Sequence, residues 1–535
     1  MQNLHSTPTL IIHHCKVYDP ASPRFYRHTA LAAAGERIIA VGDDAEILAL
    51  AAPGAQIING RGCSLLPGLT DAHSHLSGYA ERKLRIDLSD CATLSEALAI
   101  IRAKVDAAPP GSWISGDGWD KNRWGLEGFP DKKLLDGVST RHFIALQSKD
   151  WHSLWANSSA LQHCGIDETT EEPAGGRILR YPGSREPLGI LQEKACEKML
   201  RAIPPPTFEQ LLPALKETFA EHHRLGITGI HSVETPADFA RYQALYRRGE
   251  LGLRIAWYFP ARYLEEGGME DISPEAENRF LKICGVKLFA DGALGSQTAD
   301  MLENYRELNH AGVEVLTAEE LLHKIRLGVE RKLSCAVHAI GDRANRKVLH
   351  AFGAVQTASR ALGLRHRIEH AQLLHPDDIP LFSRFRVAAS VQPIHLAADI
   401  PLIERYWGAR GRHAYAFGSL LKSGARLVFG SDAPIESFDP WKGMYSATAR
   451  KYNCNPAEAP YYPEEQIPIP EAVAAYTANS AYLAGEENRL GALEEGKLAD
   501  FILIEGDIFR EPAEALLQTQ VWLTVLDGQI VYQAR

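Results

Sequence analysis

The chain has 535 residues, of which 45% are hydrophobic and 23% charged, with a net charge of −10. This is the mix of a folded soluble protein; it excludes a disordered, collagen-like or coiled-coil chain. The charge also argues against a protein that neutralises nucleic-acid phosphates.

The first apolar run, TLIIHHC, is broken by His13 and His14 before it could serve as a signal segment. No stretch reaches the roughly 18 apolar residues of a membrane span. The eight cysteines are scattered without a C-x-x-C pair, and several sit in apolar runs such as KICGV and LSCAV. They are expected to be reduced core residues of a cytoplasmic protein.

Near the start, HTALAAAGERIIAVGDD reads as a β-hairpin. Near the end, LADFILIEGD is followed by VWLTVLDGQIVYQ, whose Asp-Gly is a two-residue hairpin turn. This predicts one small composite β-sandwich domain from residues 1–64 plus 488–535, with residues 65–487 inserted between its halves. The middle holds eight candidate strands: LLPGLTDAHSH, GITGIHS, GLRIAWYFP, ICGVKLFADG, LSCAVHAIGD, RHRIEHAQ, RVAASVQPIH and ARLVFGSDAP. Helical segments such as TAEELLHKIRLGVERK separate several of them. That alternation predicts parallel pairing and an α/β fold, a (β/α)8 TIM-type barrel. The gap between the first two strands is too long for one helix. Residues 79–222 are therefore expected to form an inserted subdomain that caps one end of the barrel.

Several strands end in residues that barrel strands seldom carry. The first ends in Asp71-Ala72-His73-Ser74-His75, the fourth carries Lys287, the fifth and sixth end in His338 and His370, and the eighth ends in Asp432. The C-terminal ends of TIM-barrel strands meet at one mouth. His73 and His75 lie two apart and share a face, so both imidazoles can reach one cation. Two more imidazoles and a carboxylate complete a donor set that suits zinc. Taken singly, each has an ordinary explanation: a satisfied core histidine, a helix cap for Asp432, or a salt bridge from Lys287 to Asp291. Their joint occurrence at one end of one barrel favours a metal site. A serine-hydrolase elbow, a phosphate loop, a dinucleotide fingerprint and an H-E-x-x-H helix do not occur.

These stretches resemble the amidohydrolase superfamily, in particular its family-3 branch, the group that contains N-substituted formamide deformylases. The resemblance spans LLPGLTDAHSH, GVKLFADGALGSQTADM, HAIGDRA, RIEHAQ, QPIH, GSDAP and YTANSAYLAG. It extends to WISGDGWDKNRW and DWHSLWANSSALQHCGI in the insertion and to GALEEGKLADFILIEGD near the end. It implies hydrolysis of a non-peptide C–N bond, amide or N-formyl, in a small-molecule substrate, by metal-activated hydroxide attacking a carbonyl. Carried over by position, His73 and His75 would bind the more buried of two divalent ions, expected to be zinc, and His338 and His370 its neighbour. Asp432 would touch the buried ion and serve as general base and then acid. Lys287 would be carbamylated and bridge both ions. Trp119, His152, Asp291 and His395 are secondary candidates for substrate binding. For Trp119, a place in the insertion's hydrophobic core competes with that role. Two departures from the family pattern, Gln297 and Ala433, are expected at the pocket mouth.

Other readings are a mononuclear deaminase of the same superfamily, an inactive scaffold that has lost its ligands, and a Schiff-base enzyme using Lys287. None of the expected ligands is lost. No nucleic-acid or membrane partner is expected, and homo-oligomerisation stays open.

Overall fold

The computed structural model describes residues 7–22, 24–149, 153–173, 176–266 and 277–534. The chain divides into two compact units, Met1–Ser77 with Leu215–Arg535, and Gly78–Ala214.

In the larger unit, eight strands form one parallel sheet in sequential order. They are β1 (Leu69–Ser74), β2 (Ile227–Val233), β3 (Arg254–Pro260), β4 (Leu281–Phe289), β5 (Ser334–Ala339), β6 (Arg367–His370), β7 (Ala388–Val391) and β8 (Leu427–Phe429). The ends of β8 and β1 meet: Ser74 bridges Ala433, the Asp432 amide donates to the His73 carbonyl at 2.7 Å, and the His75 amide donates to the Ala433 carbonyl at 2.9 Å. The sheet is a (β/α)8 barrel of the TIM type. Its strands read as apolar runs because both faces are covered, as parallel pairing requires. Helices between them start on clear signals. Thr235 caps Pro236–Arg247 with Asp238, and Thr317 caps Ala318–Glu330 with Glu320, both as capping boxes.

The same unit holds two further sheets. One pairs Leu10–His13, Ala30–Ala34, Arg37–Gly42 and Gln56–Asn59. The other joins Lys16–Tyr18, Tyr26–His28 and Ser64–Pro67 to Phe501–Ile504, Val521–Leu526 and Gln529–Gln533. Leu10, Ile12 and Leu31 from the first share one core with Val17, Leu65, Phe501 and Leu523 from the second. The turn at Asp527-Gly528 has φ of 55° and 73°, the left-handed pair that a two-residue hairpin demands.

The smaller unit has its own six-stranded sheet, ordered Gly176–Arg180, Pro187–Glu193, Ser153–Ala156, Phe143–Ser148, Trp113–Trp119 and Ile86–Asp87. Its boundary at Ala214 falls inside the helix Phe208–Arg224, not at 222. Among the described residues, no helix is long and apolar enough to cross a membrane.

Candidate metal centre at the barrel mouth

Asp71, 1% exposed on β1, joins the two segments that carry the first ligand group. Its Oδ1 accepts from the amides of His73 and Ser431 at 3.0 Å each, and its Oδ2 accepts from the Ser431 hydroxyl at 2.5 Å. Burial raises its pKa to about 6 despite those donors. Gly430 permits the close approach, since a Cβ there would lie 2.4 Å from the His73 nitrogen.

The imidazoles are oriented from behind. His73 Nδ1 lies 2.7 Å from Glu369 Oε2, and His75 Nδ1 lies 2.8 Å from the Val233 carbonyl. Both partners only accept, so each ring donates through Nδ1 and, when neutral, has its lone pair on Nε2. The two Nε2 atoms converge on Asp432 Oδ1, at 3.3 and 3.1 Å. Without a cation, His75 Nε2 and Asp432 Oδ1 share a proton in a hydrogen bond of 3.1 Å; a metal among the three atoms would take that proton's place. The donor set therefore fits a divalent metal.

One ligand atom each from His73, His75 and Asp432 lie within 4.8 Å of one another, and so do those from His370, His395 and Asp432. His370 Nδ1 is buried without a hydrogen-bond partner, a further orphan that a cation would satisfy. His370 and Asp432 both take left-handed backbone, φ 73° and 63°, an uncommon state for non-glycine residues and one found at functional sites. Burial would raise the Asp432 pKa, but the imidazoles of His73, His75 and His370 outweigh it and hold the group well below the usual carboxylate range.

The other sequence candidates fall as follows. His338 lies outside both ligand groups; its Nε2 donates to the Gly292 carbonyl at 2.8 Å, and its ring centre is 4.5 Å from that of His370. Lys287 is 2% exposed, with Nζ 5.1 Å from the Phe289 ring centre. Burial lowers its pKa to about 8 against the opposing pull of Glu369 and Asp432. Asp291 does not neutralise it: Oδ1 accepts from the Ile340 amide and Oδ2 from those of Gly341 and Asp300, so this carboxylate organises loops. His395, expected to position substrate, also stands in the second group of possible ligands, with Nε2 3.2 Å from the Ser431 carbonyl. Trp119 is 2% exposed in the core of the smaller unit, beside Trp124 and Trp155, and its indole donates to the Leu146 carbonyl. His152 lies outside the described residues. Ala433, expected at the pocket mouth, is 1% exposed and pairs with Ser74.

Arg367 and Glu369 on β6 and His231 on β2, all buried, are not among the residues expected from the sequence. The signal was present: Arg367 and Glu369 lie two apart, which on a barrel strand puts both charges on one face.

The histidines and aspartate gather at the C-terminal mouth of a TIM barrel, the face where enzymes of this fold keep their active sites. The Amidohydrolase family model matches residues 56–532, and the chain belongs to that family. It is 32% identical to the "Putative amidohydrolase YtcJ" of Bacillus subtilis over 90% of this chain and 91% of that protein. It is 28% identical to the "N-substituted formamide deformylase" of Arthrobacter pascens over 94% and 95%. The crystal structure of an uncharacterized metal-dependent hydrolase from Pyrococcus furiosus superposes with a TM-score of 0.77 at 26% identity, covering 94% of this chain and all of that one.

Proposed function

We propose that this protein hydrolyses a non-peptide C–N bond, of amide or N-formyl type, in a small-molecule substrate, with zinc as its metal. The observation that carries the reading is the convergence of the His73 and His75 Nε2 atoms on Asp432 Oδ1. His73, His75 and Asp432 hold one ion; His338 and His370, with Lys287 as its carbamate, hold a second. Divalent cations there supply Lewis acidity toward a carbonyl and toward water. Asp432 accepts a proton from the attacking water and passes it to the leaving nitrogen as the C–N bond breaks, so an amide gives a carboxylic acid and an amine. Lys287, buried and with its pKa lowered to about 8, gives up its proton more readily than an ordinary lysine, and carbamate formation with CO₂ requires the neutral amine. His395, beside Asp432, positions substrate, and the buried cysteines suit a reducing, cytoplasmic setting.

The test is metal analysis of the purified protein together with a screen of N-formyl, N-acyl and cyclic amides against its zinc-loaded form. Two ions per chain, turnover of such an amide, and loss of turnover on chelation are expected. A metal-free protein that still turns over would overturn the reading. With Lys287→Ala, the second ion should be lost and kcat should fall about 10²-fold or more; full activity would favour a one-metal enzyme.

A further inference from the structure

Behind His73, a connected set of polar side chains crosses the barrel interior. Glu369 and Arg367 are both 0% exposed, and Arg367 Nε lies 2.5 Å from Glu369 Oε1. That contact is an ion pair whose alignment falls short of a hydrogen bond, which does not weaken the attraction of the two charges. Arg367 Nη1 donates to the Ala72 carbonyl at 2.8 Å and to His231 Nδ1 at 3.0 Å. Its guanidinium carbon lies 4.1 Å from the Tyr258 ring centre, and the His231 ring in turn bonds the Ser480 backbone. Glu369 Oε2 completes the set at 2.7 Å from His73 Nδ1; the Gln392 amide nitrogen is further off, at 3.3 Å.

Each link allows one protonation pattern. Arginine only donates, so His231 Nδ1 must accept and Glu369 must stay ionised. An ionised carboxylate only accepts, so His73 must carry its proton on Nδ1. A buried charge pair contributes little net stability against apolar residues of the same shape, and breaking it from one side is costly. Stability alone therefore gives no reason for these charges in a barrel core, whereas orientation of a ligand does. A lysine in place of Arg367 could not reach three acceptors on three strands with one planar fork.

We propose that Glu369 is the positioning carboxylate of the metal centre, held by Arg367 and through it by His231. It fixes the Nδ1–H tautomer and ring plane of His73, so that Nε2 faces the metal. Arg367 also holds the Ala72 carbonyl, one residue before the ligand, and so sets the backbone as well as the ring. The inference rests on the metal-centre reading above.

The decisive variant is Glu369→Gln. Its single carbonyl oxygen is claimed by the ionised Arg367, which turns the amide NH₂ toward His73 and favours the wrong tautomer. Zinc affinity, measured by competition with a chromophoric chelator, should fall about 10–100-fold, and the visible spectrum of the Co(II)-loaded protein should change shape. Adding Arg367→Met frees the carbonyl oxygen to accept from His73 Nδ1, so the double variant R367M/E369Q should bind zinc more tightly than E369Q alone. Should E369Q fail to fold, R367M/E369Q compared with R367M/E369L asks the same question, with the leucine protein expected to bind at least tenfold more weakly. A wild-type affinity and Co(II) spectrum in E369Q, a double variant no better than the single one, or equal affinities in the second comparison would overturn the proposal. Wild-type protein that binds no metal would instead overturn the metal-centre reading.

Discussion

Asp432 meets two demands at one position: its side chain converges with His73 and His75, while its left-handed backbone carries the amide that bonds β1. Asp432→Asn keeps the shape and removes the basicity, so kcat should fall about 10²–10⁴-fold with an unchanged circular dichroism spectrum; retained turnover would contradict its role. His366 makes a different prediction. Burial lowers its pKa to about 4, with Nδ1 accepting from the Cys335 amide and Nε2 against the Ser359 hydroxyl. The folded state takes up this proton less readily than the unfolded chain does. Its contribution is therefore present above about pH 6.5 and is lost as pH falls toward 4, by about 3 kcal/mol. In denaturant unfolding, the advantage of wild type over His366→Gln should shrink across that window; parallel curves would refute it. At this scale the sequence exposed the histidines that gather at the mouth, because imidazoles at the ends of apolar strands stand out. It did not expose how Glu369 and His370, adjacent in the chain, could serve one centre, since strand alternation sends neighbours to opposite faces. The φ of 73° at His370 breaks that alternation, and no residue type announces it.

At the scale of elements, the seam between β1 and β8 is what brings the first ligand group together. Gly430→Ala would place a Cβ 2.4 Å from the His73 nitrogen and 2.8 Å from its Cβ, forcing the seam apart. A loss of about 2 kcal/mol in stability and a fall in bound zinc per chain are expected from thermal denaturation and metal analysis. A variant with wild-type metal content would show that the seam tolerates opening. All eight barrel strands were legible, because strands covered on both faces read as continuous apolar runs. The six-stranded sheet of the smaller unit was not. Its strands include the two-residue Ile86–Asp87 and the charged Gly176–Arg180, too short or too polar to give a period.

For the larger unit as a whole, Arg254 on β3 is the tie between barrel and terminal sheets. Its guanidinium contacts Asp500 at 2.5 and 2.9 Å and Asp527 at 2.9 Å, and both aspartates belong to the C-terminal segment. Asp500→Ala removes the main partner of a buried cation and should cost about 3 kcal/mol in denaturant unfolding, with Asp500→Asn recovering part of it. Equal stability of wild type and Asp500→Ala would rule out the tie. The union of both chain ends was legible from two hairpin-like texts with nothing similar between them; the ion pair that joins them to the barrel was not, since no spacing relates Arg254 to Asp500. That union also bears on how the protein is made. Among the described residues, Ser64–Pro67 finds its antiparallel neighbour in Phe501–Ile504. At ribosomal rates of 5–20 residues per second, this edge strand waits some tens of seconds for its mate. During that interval Leu65 and Leu66, fully buried in the finished molecule, have no sheet to cover them on that side. A later stretch thus closes an earlier one, and a nascent chain stalled before Phe501 would be a substrate for chaperones.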